Sequence, residues 1–341
     1  MTASLDGRPR DQFIAAILND RGDGSDGLVT VSGATNVSSL GGSLSGLPGS
    51  ADGRIIECTG LTVNAGQTLT LDLNITVVKC TGTVTINGTI NGDGGGMGLG
   101  DGAVAARFYG QAGKPPFQGN GGDSSNEPAT LSGLGGARYG WRDWLFNMDS
   151  SEPNGLNYPV GGGGGGGGEA AGGSGGDGGN GGSSIIIICR DLVFGSSAVV
   201  TLDGDNGNAG VASGANSLAA GGGGGGGGFF GCIVDSYTDA RTSSSTITAT
   251  AGSGGAGATN SPSGPSASGG GGGGGAFNGA VGANQALVAN TAGSGGSGGV
   301  GMIFIAFRRF WKVGGTMLST TNLNNRTDPN AVTMRVDLQD V

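Results

Sequence analysis

The sequence predicts an all-β protein in which repeated strand pairs alternate with long glycine-rich excursions. Of the 341 residues, 83 are Gly, with unbroken runs at 161–168, 221–228 and 269–275. Between these runs lie short β-branched segments such as residues 184–189, SIIIIC, and such segments favour strands. Glycine loses more conformational entropy on ordering than any other residue, so this composition requires extensive backbone hydrogen bonding beside a conventional core.

The first residues contain the one segment with helical spacing. Asp11 can cap a helix, and an apolar face follows it at helical spacing, formed by Phe13, Ile14, Ile17 and Leu18. We therefore predict that residues 1–23 form a short N-terminal helix and attachment segment. Its apolar face either packs against the protein or serves as an assembly anchor for a partner.

Residues 24–91 have the alternation of a ladder of short strands. The turn dipeptides Asn87-Gly88 and Asn91-Gly92 punctuate it. The predicted strands are 27–32, 53–59, 60–63, 68–74, 75–80 and 82–90. Frequent turns and many Thr, Val and Ile residues predict β-solenoid coils or a sandwich-like arrangement.

A repeat emerges when the apolar segments are aligned. Each unit has a strongly apolar strand, a short polar connection, a weaker alternating strand and then Asn, Asp or Gly. The four units are 75–80 with 82–95, 184–194 with 198–210, 229–238 with 245–255, and 301–311 with 315–325. We predict a glycine-rich region over 92–300 with strand pairs at 184–203 and 229–250, followed by a strand pair and tail over 301–341.

The glycine-rich excursions cover residues 92–182, 204–228 and 252–299. Each leaves one strand pair and returns to start the next. Unbraced loops of this length are improbable in a compact domain. Extended glycine chains have three residues per turn and outward-facing N–H and C=O groups, which close neighbours can satisfy where side chains are absent. The excursions are therefore predicted to pack against one another as polyglycine II helices.

Three of the four cysteines occupy equivalent places in the aligned repeat: Cys80, Cys189 and Cys232. Ala306 holds the same place in the last unit, and Cys58 lies outside the alignment. The spacing predicts a column of side chains facing the core. Small buried apolar filler is the favoured role, with disulfides or a metal site as the alternatives.

The composition argues against several functional classes. The net charge of −9 is spread along the chain, which argues against binding to nucleic acid or an anionic membrane. No apolar run is long enough for membrane insertion. The start of the sequence, MTASLDGRPRDQF, has no apolar h-region, so we expect no signal peptide. The sequence contains no His and no Cys-x-x-Cys pair, which excludes the usual zinc sites, Ser-His-Asp triads and Cys-His dyads. We expect no enzyme activity and no cofactor. The turn at 203–208 could offer oxygens to calcium, but turn formation is the favoured interpretation.

The longest excursion carries an aromatic island. It holds two of the three Trp residues in a chain with 5% aromatics. Its candidate recognition residues are Tyr139, Trp141, Arg142, Trp144 and Phe146. They either plug the end of the glycine-rich region or form a recognition patch.

The segments GDGSDGLVTV at 22–31, GLTVNAG at 60–66 and GTVTINGTINGDGG at 82–95 resemble the N-terminal part of glycine-rich tail-fibre and appendage proteins of tailed bacteriophages. The later glycine runs are similar to the polyglycine layers of phage tail-fibre tip adhesins. The resemblance implies a virion structural protein, assembled in the host cytoplasm. Its implied partners are other virion proteins, further copies in a homotrimer, and a host cell-surface glycan or protein. Residues 301–341, which contain FIAFRRFWKV, depart from the adhesin pattern.

Other functional classes remain open at this stage. Within a virion, the chain could be a capsid decoration or cement protein. A bacterial surface or ice-binding polyglycine protein is a second alternative, although the glycine runs lack a regular x-Gly-Gly period. A β-helix polysaccharide depolymerase is the third, and it is disfavoured because no Asp/Glu cluster is recognisable.

Overall fold

A computed structural model describes residues 19–43, 52–96, 161–167, 169–170, 173–213, 217–241, 247–259, 292–312, 316–317 and 332–337. These residues form a mostly-β structure, and no α-helix begins and ends within them. Within them, Val37–Ser39 forms one turn of 3-10 helix. The predicted N-terminal helix, with Phe13, Ile14, Ile17 and Leu18, lies outside the described residues.

The described strands are numbered in chain order. They are β1 (Leu28–Val31), β2 (Thr35–Asn36), β3 (Gly42–Ser43), β4 (Gly53–Cys58), β5 (Gly60–Val63), β6 (Thr68–Thr70), β7 (Ile75–Ile86), β8 (Thr89–Asn91), β9 (Glu169–Ala170), β10 (Ser184–Phe194), β11 (Val199–Thr201), β12 (Leu218–Ala219), β13 (Phe229–Asp239), β14 (Ile247–Thr248), β15 (Ala258–Thr259), β16 (Met302–Lys312), β17 (Thr316–Met317) and β18 (Val332–Asp337).

The long sheet contains the apolar strand of every repeat. Strands β7, β10, β13 and β16 lie side by side and parallel, and β4 and β5 together flank β7. The strands start in register, with Ile75 opposite Ser184, Ser184 opposite Phe229 and Phe229 opposite Met302. The stretches predicted as strands 75–80 and 82–90 are thus mostly one strand, β7, with β8 beyond the turn.

The short sheet collects the second strand of each repeat. Strands β2, β6, β8, β11 and β14 are parallel and adjacent in the order β14-β11-β8-β6-β2. The predicted pairs at 184–203 and 229–250 accordingly place one strand in each sheet. The last pair differs from the other two, because β17 turns back and pairs antiparallel with β16 in the long sheet.

The core fills the space between the two sheets. Residues of β7, β10, β13 and β16 meet Leu69, Ile90, Val200 and Ile247 from the short sheet in one buried cluster. The aromatic rings lie in contact, with centroids 5.9 Å apart for Phe194 and Tyr237 and 6.1 Å apart for Tyr237 and Phe307. Strand alternation explains this arrangement, because every second side chain of the long sheet points inward.

A buried ion pair lies beside the aromatic side chains of this core. Arg241 Nη2 lies 3.0 Å from Asp239 Oδ2, and both side chains are only 6% exposed. The guanidinium carbon also lies 4.9 Å from the centre of the Phe194 ring. The two charges therefore compensate one another, and the ring adds a cation–π contact to the guanidinium.

The cysteine column is partly as predicted. Cys80 lies directly opposite Cys189, and Cys58 lies opposite Cys80, so the column contains a cysteine outside the aligned repeat. Cys232 faces Ile187 and belongs to the same core, two residues away from the predicted place. The prediction for Ala306 is wrong: it pairs with Ile233, on the opposite face of the sheet. A two-residue offset preserves the face of a strand, whereas a one-residue offset reverses it.

All four cysteines are free and buried. Burial raises the pKa of the Cys189 thiol, and a hydrogen bond with Cys80 raises the pKa of Cys58. Both groups therefore stay neutral at pH 7, as expected of apolar filler.

Candidate functional site in the glycine-rich layer

The run 221–228 lies at the centre of a layer of extended segments. Successive N–H groups of this run donate in rotation to three different neighbours, with donor–acceptor distances of 2.8 to 3.0 Å. The acceptors are Gly293, Gly296 and Gly299 on one side, Asn208, Asp205 and Leu202 on a second, and Gly165 and Gly162 on a third. A chain whose donors return to the same direction at every third residue has three residues per turn.

The surrounding segments repeat this period. Gly161, Gly164 and Gly167 donate to Gly182, Gly179 and Gly176 of an antiparallel neighbour. Gly204, Gly207 and Gly210 donate to Thr250, Ser253 and Ala256 of a parallel neighbour. We call the described parts of these segments the glycine-rich layer: 161–167, 173–182, 203–211, 220–228, 250–257 and 292–301.

Close backbone approach explains why these positions are Gly. A methyl group on Gly225 would overlap the carbonyl oxygen of Asn180, and one on Gly222 would overlap that of Asp177. The obstructing atoms belong to the backbone, which cannot rotate away. Only a residue without a side chain allows every segment to hydrogen-bond to its neighbours at this spacing.

Carboxylates mark the base of the layer, where the chain leaves the short sheet. Asp93 Oδ1 accepts a 2.8 Å hydrogen bond from the Asp203 amide, and Asp203 Oδ1 accepts one of 2.6 Å from the Thr250 amide. Asp72, at the same place in an earlier repeat, accepts a 2.9 Å bond from the Ser38 amide. Each carboxylate thus caps the backbone of an adjacent repeat.

The sequence interpretation missed this carboxylate column, which we define as Asp72, Asp93 and Asp203. A signal was present, because each Asp follows two residues after a short-sheet strand. Partial loss of hydration raises the pKa of Asp93, and the charges of Asp203 and Asp205 raise it further.

The turn considered for calcium uses its oxygens for hydrogen bonds within the protein. Asp203 Oδ2 accepts a 3.0 Å bond from the Thr248 hydroxyl, and Asn206 Oδ1 accepts one of 2.7 Å from the Ser253 amide. In the part of the chain that the structure describes, no three Cys, Asp or Glu side chains are grouped so as to hold a metal ion.

Two segments inserted into the glycine-rich layer, 97–160 and 260–291, are joined to it at described residues. Gly96 donates a 2.6 Å hydrogen bond to Gly181, and Gly161 donates one of 3.0 Å to Gly182. The segment 97–160 therefore leaves and returns at neighbouring residues near the base of the layer. At the far end, β9, β12 and β15 form a small antiparallel sheet, and residues 260–291 follow β15.

The predicted recognition residues Tyr139, Trp141, Arg142, Trp144 and Phe146 lie in the segment 97–160, outside the described residues. The structure fixes only where this segment is attached.

Comparison of the chain with protein-family models, curated proteins and solved structures found no match. Within the described ranges, no helix has the length and apolarity needed to cross a membrane.

Proposed function

We propose that this chain is a structural protein of a tailed-bacteriophage virion, a tail fibre or surface appendage that contacts the host. The observation that carries the proposal is the period of three in the backbone hydrogen bonds of the run 221–228. That period supports polyglycine II helices, the architecture implied by the resemblance to phage tip adhesins. The in-register parallel rows of the two sheets support a β-solenoid body beside the layer.

This architecture suits a protein that holds binding segments in a fixed position. The layer is held by backbone hydrogen bonds that do not depend on particular side chains, and its segments are braced on several sides. Insertions attached to it can then vary while the scaffold stays unchanged, as binding loops do on other rigid scaffolds. The proposal includes no catalytic step and no cofactor.

The contact with the host is assigned to the insertion 97–160 with its aromatic island. Trp, Tyr and Arg are enriched among residues that dominate binding energy at interfaces. A host glycan or surface protein would bind against Trp141, Trp144 and Arg142. Assembly as a homotrimer with other virion proteins is part of the same proposal.

The experiment is a competition assay with the full-length chain. Mass spectrometry of purified phage particles first identifies a phage that carries the chain. Fluorescently labelled protein is then added to the host bacteria of that phage, and phage adsorption is measured. Saturating protein should reduce adsorption at least tenfold. The double variant Trp141→Ala and Trp144→Ala should not compete, whereas Val211→Ala, at an exposed layer position, should compete fully.

Absence of the chain from purified particles would refute the virion assignment. If the chain is present but neither binds cells nor competes, it has a structural role without receptor contact. A mass measurement in solution tests the trimer separately.

A further inference from the structure

Three buried thiols lie side by side on adjacent parallel strands of the long sheet. Cys58, at the end of β4, is directly opposite Cys80 on β7, and Cys80 is directly opposite Cys189 on β10. All three side chains are fully buried and belong to the core between the sheets. Neighbouring strands are about 4.8 Å apart, and disulfide bonds join residues whose Cα atoms are about 4.4 to 6.8 Å apart. Cys80 therefore has two neighbours within disulfide range.

Strand β7 carries a β-bulge directly after Cys80. Cys58 is opposite Cys80 and Leu61 is opposite Val84, so β7 has one residue more between these two pairs than the neighbouring chain has. A bulge bends the strand and changes the direction of the groups beside it. Here the backbone amides of Gly82 and Leu61 both donate hydrogen bonds to the Cys80 sulfur. Such donors stabilise the thiolate, which is the reactive form of cysteine.

Hydrogen bonding distinguishes the two neighbours of Cys80. The Cys58 thiol donates a hydrogen bond to Cys80, which lowers the pKa of Cys80 to about 7 against the opposing effect of burial, and raises the pKa of Cys58. The Cys189 thiol instead donates to the Asp191 carbonyl oxygen, with a distance of 3.3 Å from sulfur to oxygen. Of the two neighbours, Cys58 is thus the one whose S–H group is directed at Cys80.

We propose that Cys80 is an oxidation site, at which a hydroperoxide converts Cys80 and Cys58 into a disulfide. The Cys80 thiolate attacks one oxygen of the peroxide, which breaks the O–O bond, leaves a sulfenic acid on Cys80 and releases hydroxide. The Cys58 sulfur then attacks the Cys80 sulfur, and the sulfenic oxygen leaves as water. The hydroxide takes up the proton that Cys80 lost. With hydrogen peroxide, two thiols are oxidised and one peroxide is reduced to two molecules of water.

The position of the pair explains how a small oxidant reaches it. Among the described strands, β1 pairs with β5 alone and ends the main row of the long sheet, and its Leu28 is 72% exposed. Strands at such ends open locally more readily than central strands, and β5 begins two residues after Cys58. Cys232 lies on β13, opposite Ile187 and Ile305. With no thiol directly opposite, it should stay reduced.

The test maps thiols in the full-length chain. The folded protein is treated with hydrogen peroxide, then unfolded and alkylated, and its peptides are identified by mass spectrometry. Two of the four free thiols should be lost, and the product should be a peptide pair that links Cys58 to Cys80 within one chain. Cys189 and Cys232 should be recovered in alkylated form.

Three alanine variants separate the roles of the thiols. Cys58→Ala should stop at the sulfenic acid of Cys80, which dimedone traps. Cys80→Ala should slow the oxidation of Cys58 at least about tenfold, because the stabilised thiolate is gone. Cys189→Ala is the matched control, and it should form the same disulfide as the wild type.

The wild-type map decides the proposal even if a variant does not fold. The proposal is overturned if all four thiols survive a peroxide treatment that oxidises the guanidinium-unfolded chain. It is equally overturned if Cys80 is linked to Cys189, or if the links join different chains. Unchanged oxidation of Cys58 in a folded Cys80→Ala variant would also contradict it.

Discussion

At the scale of single residues, two polar side chains differ in how their hydrogen-bonding groups are satisfied. Asp93 is solvent-exposed, and its Oδ1 accepts a hydrogen bond from the Asp203 amide at 2.8 Å. Thr76 is fully buried, and its hydroxyl has no hydrogen-bond partner. An unsatisfied buried polar group costs free energy in proportion to its lost hydration. The first group therefore has a structural use, whereas the second only reduces stability.

Replacing Thr76 by Val should stabilise the protein. The change removes the orphaned hydroxyl and keeps the β-branched shape, which should raise the free energy of unfolding by roughly 1 kcal/mol or more. Denaturant unfolding of wild type and variant measures it. Thr30→Val, at an exposed position of β1, is the control and should stay within about 0.5 kcal/mol of wild type. A loss of stability in Thr76→Val would mean that the hydroxyl has a partner.

Asp93→Asn should make stability less dependent on pH. The folded-state pKa of Asp93 lies above its unfolded value, so the native state binds this proton more tightly. The wild-type free energy of unfolding therefore loses a contribution as pH rises through the interval between the two pKa values. Asn keeps an oxygen for the Asp203 amide and carries no charge.

The variant should accordingly match or exceed wild type at pH 7, and its advantage should shrink as pH falls below about 4. Thermal unfolding measured from pH 3 to pH 8 gives the comparison, with exposed Asp52→Asn as the control. An advantage that instead grows towards low pH would contradict the assigned direction.

At the scale of elements, the glycine-rich layer and the sheets obey different sequence rules. The strands are specified by alternating apolar side chains, whereas the layer is specified by the absence of side chains where backbones meet. A substitution that a strand tolerates would consequently be severe in the layer.

Gly225→Ala should destabilise the protein by about 3 kcal/mol or more, because its methyl group would overlap the Asn180 carbonyl oxygen. Gly33→Ala is the matched control. No atom lies within 4 Å of a methyl group built there, so the change should be neutral or stabilise by up to about 1 kcal/mol. Equal Tm values for both variants would mean that the run 221–228 is not packed as described.

The sequence was most informative where side chains determine structure. The β-branched stretches starting at Ser184 and Phe229 form strands at the predicted places, because their pattern suits only a buried sheet. The register between neighbouring strands was harder to predict from the sequence. Cys232 lies two residues from its predicted neighbour, and a slip of two residues leaves every side chain on the same face. Apolar pattern alone cannot distinguish such registers.

Other features were missed for equally physical reasons. Asp93 and Asp203 look like ordinary turn residues, and their capping role depends on stacking of repeats far apart in the chain. The repeat predicted a second strand after β16, but nothing in its sequence indicated that β17 would pair antiparallel with β16 in the long sheet. The candidate recognition residues around Trp141 remain a prediction.

At the scale of the whole molecule, the body is assembled from distant pieces of chain. Ile75 lies opposite Ser184, although the segment 97–160 separates their strands. The residues that flank the segment, Gly96 and Gly161, donate hydrogen bonds to the neighbouring residues Gly181 and Gly182. We therefore predict that the body forms without the segment when these flanking residues are joined by a short linker.

Replacing residues 98–159 by a short Gly-Ser linker should preserve the fold. Four flexible residues span the attachment points, and the shorter loop has a lower closure cost. Circular dichroism should retain the β signal, and Tm should stay within about 5 °C of wild type. Loss of the sheet signal would show that the segment is part of the body. A folded variant that no longer competes for phage adsorption would locate recognition in the segment.

The rotation of donors in the run 221–228 also sets a counting rule for how such a chain can change in length. Inserting three glycines returns every later N–H to its original direction, whereas one or two turn each later donor by about a third or two thirds of a circle. Insertions of three residues therefore preserve the direction of every later donor and move it along the axis by about 9 Å. Other insertions turn all later donors of the segment away from their neighbours.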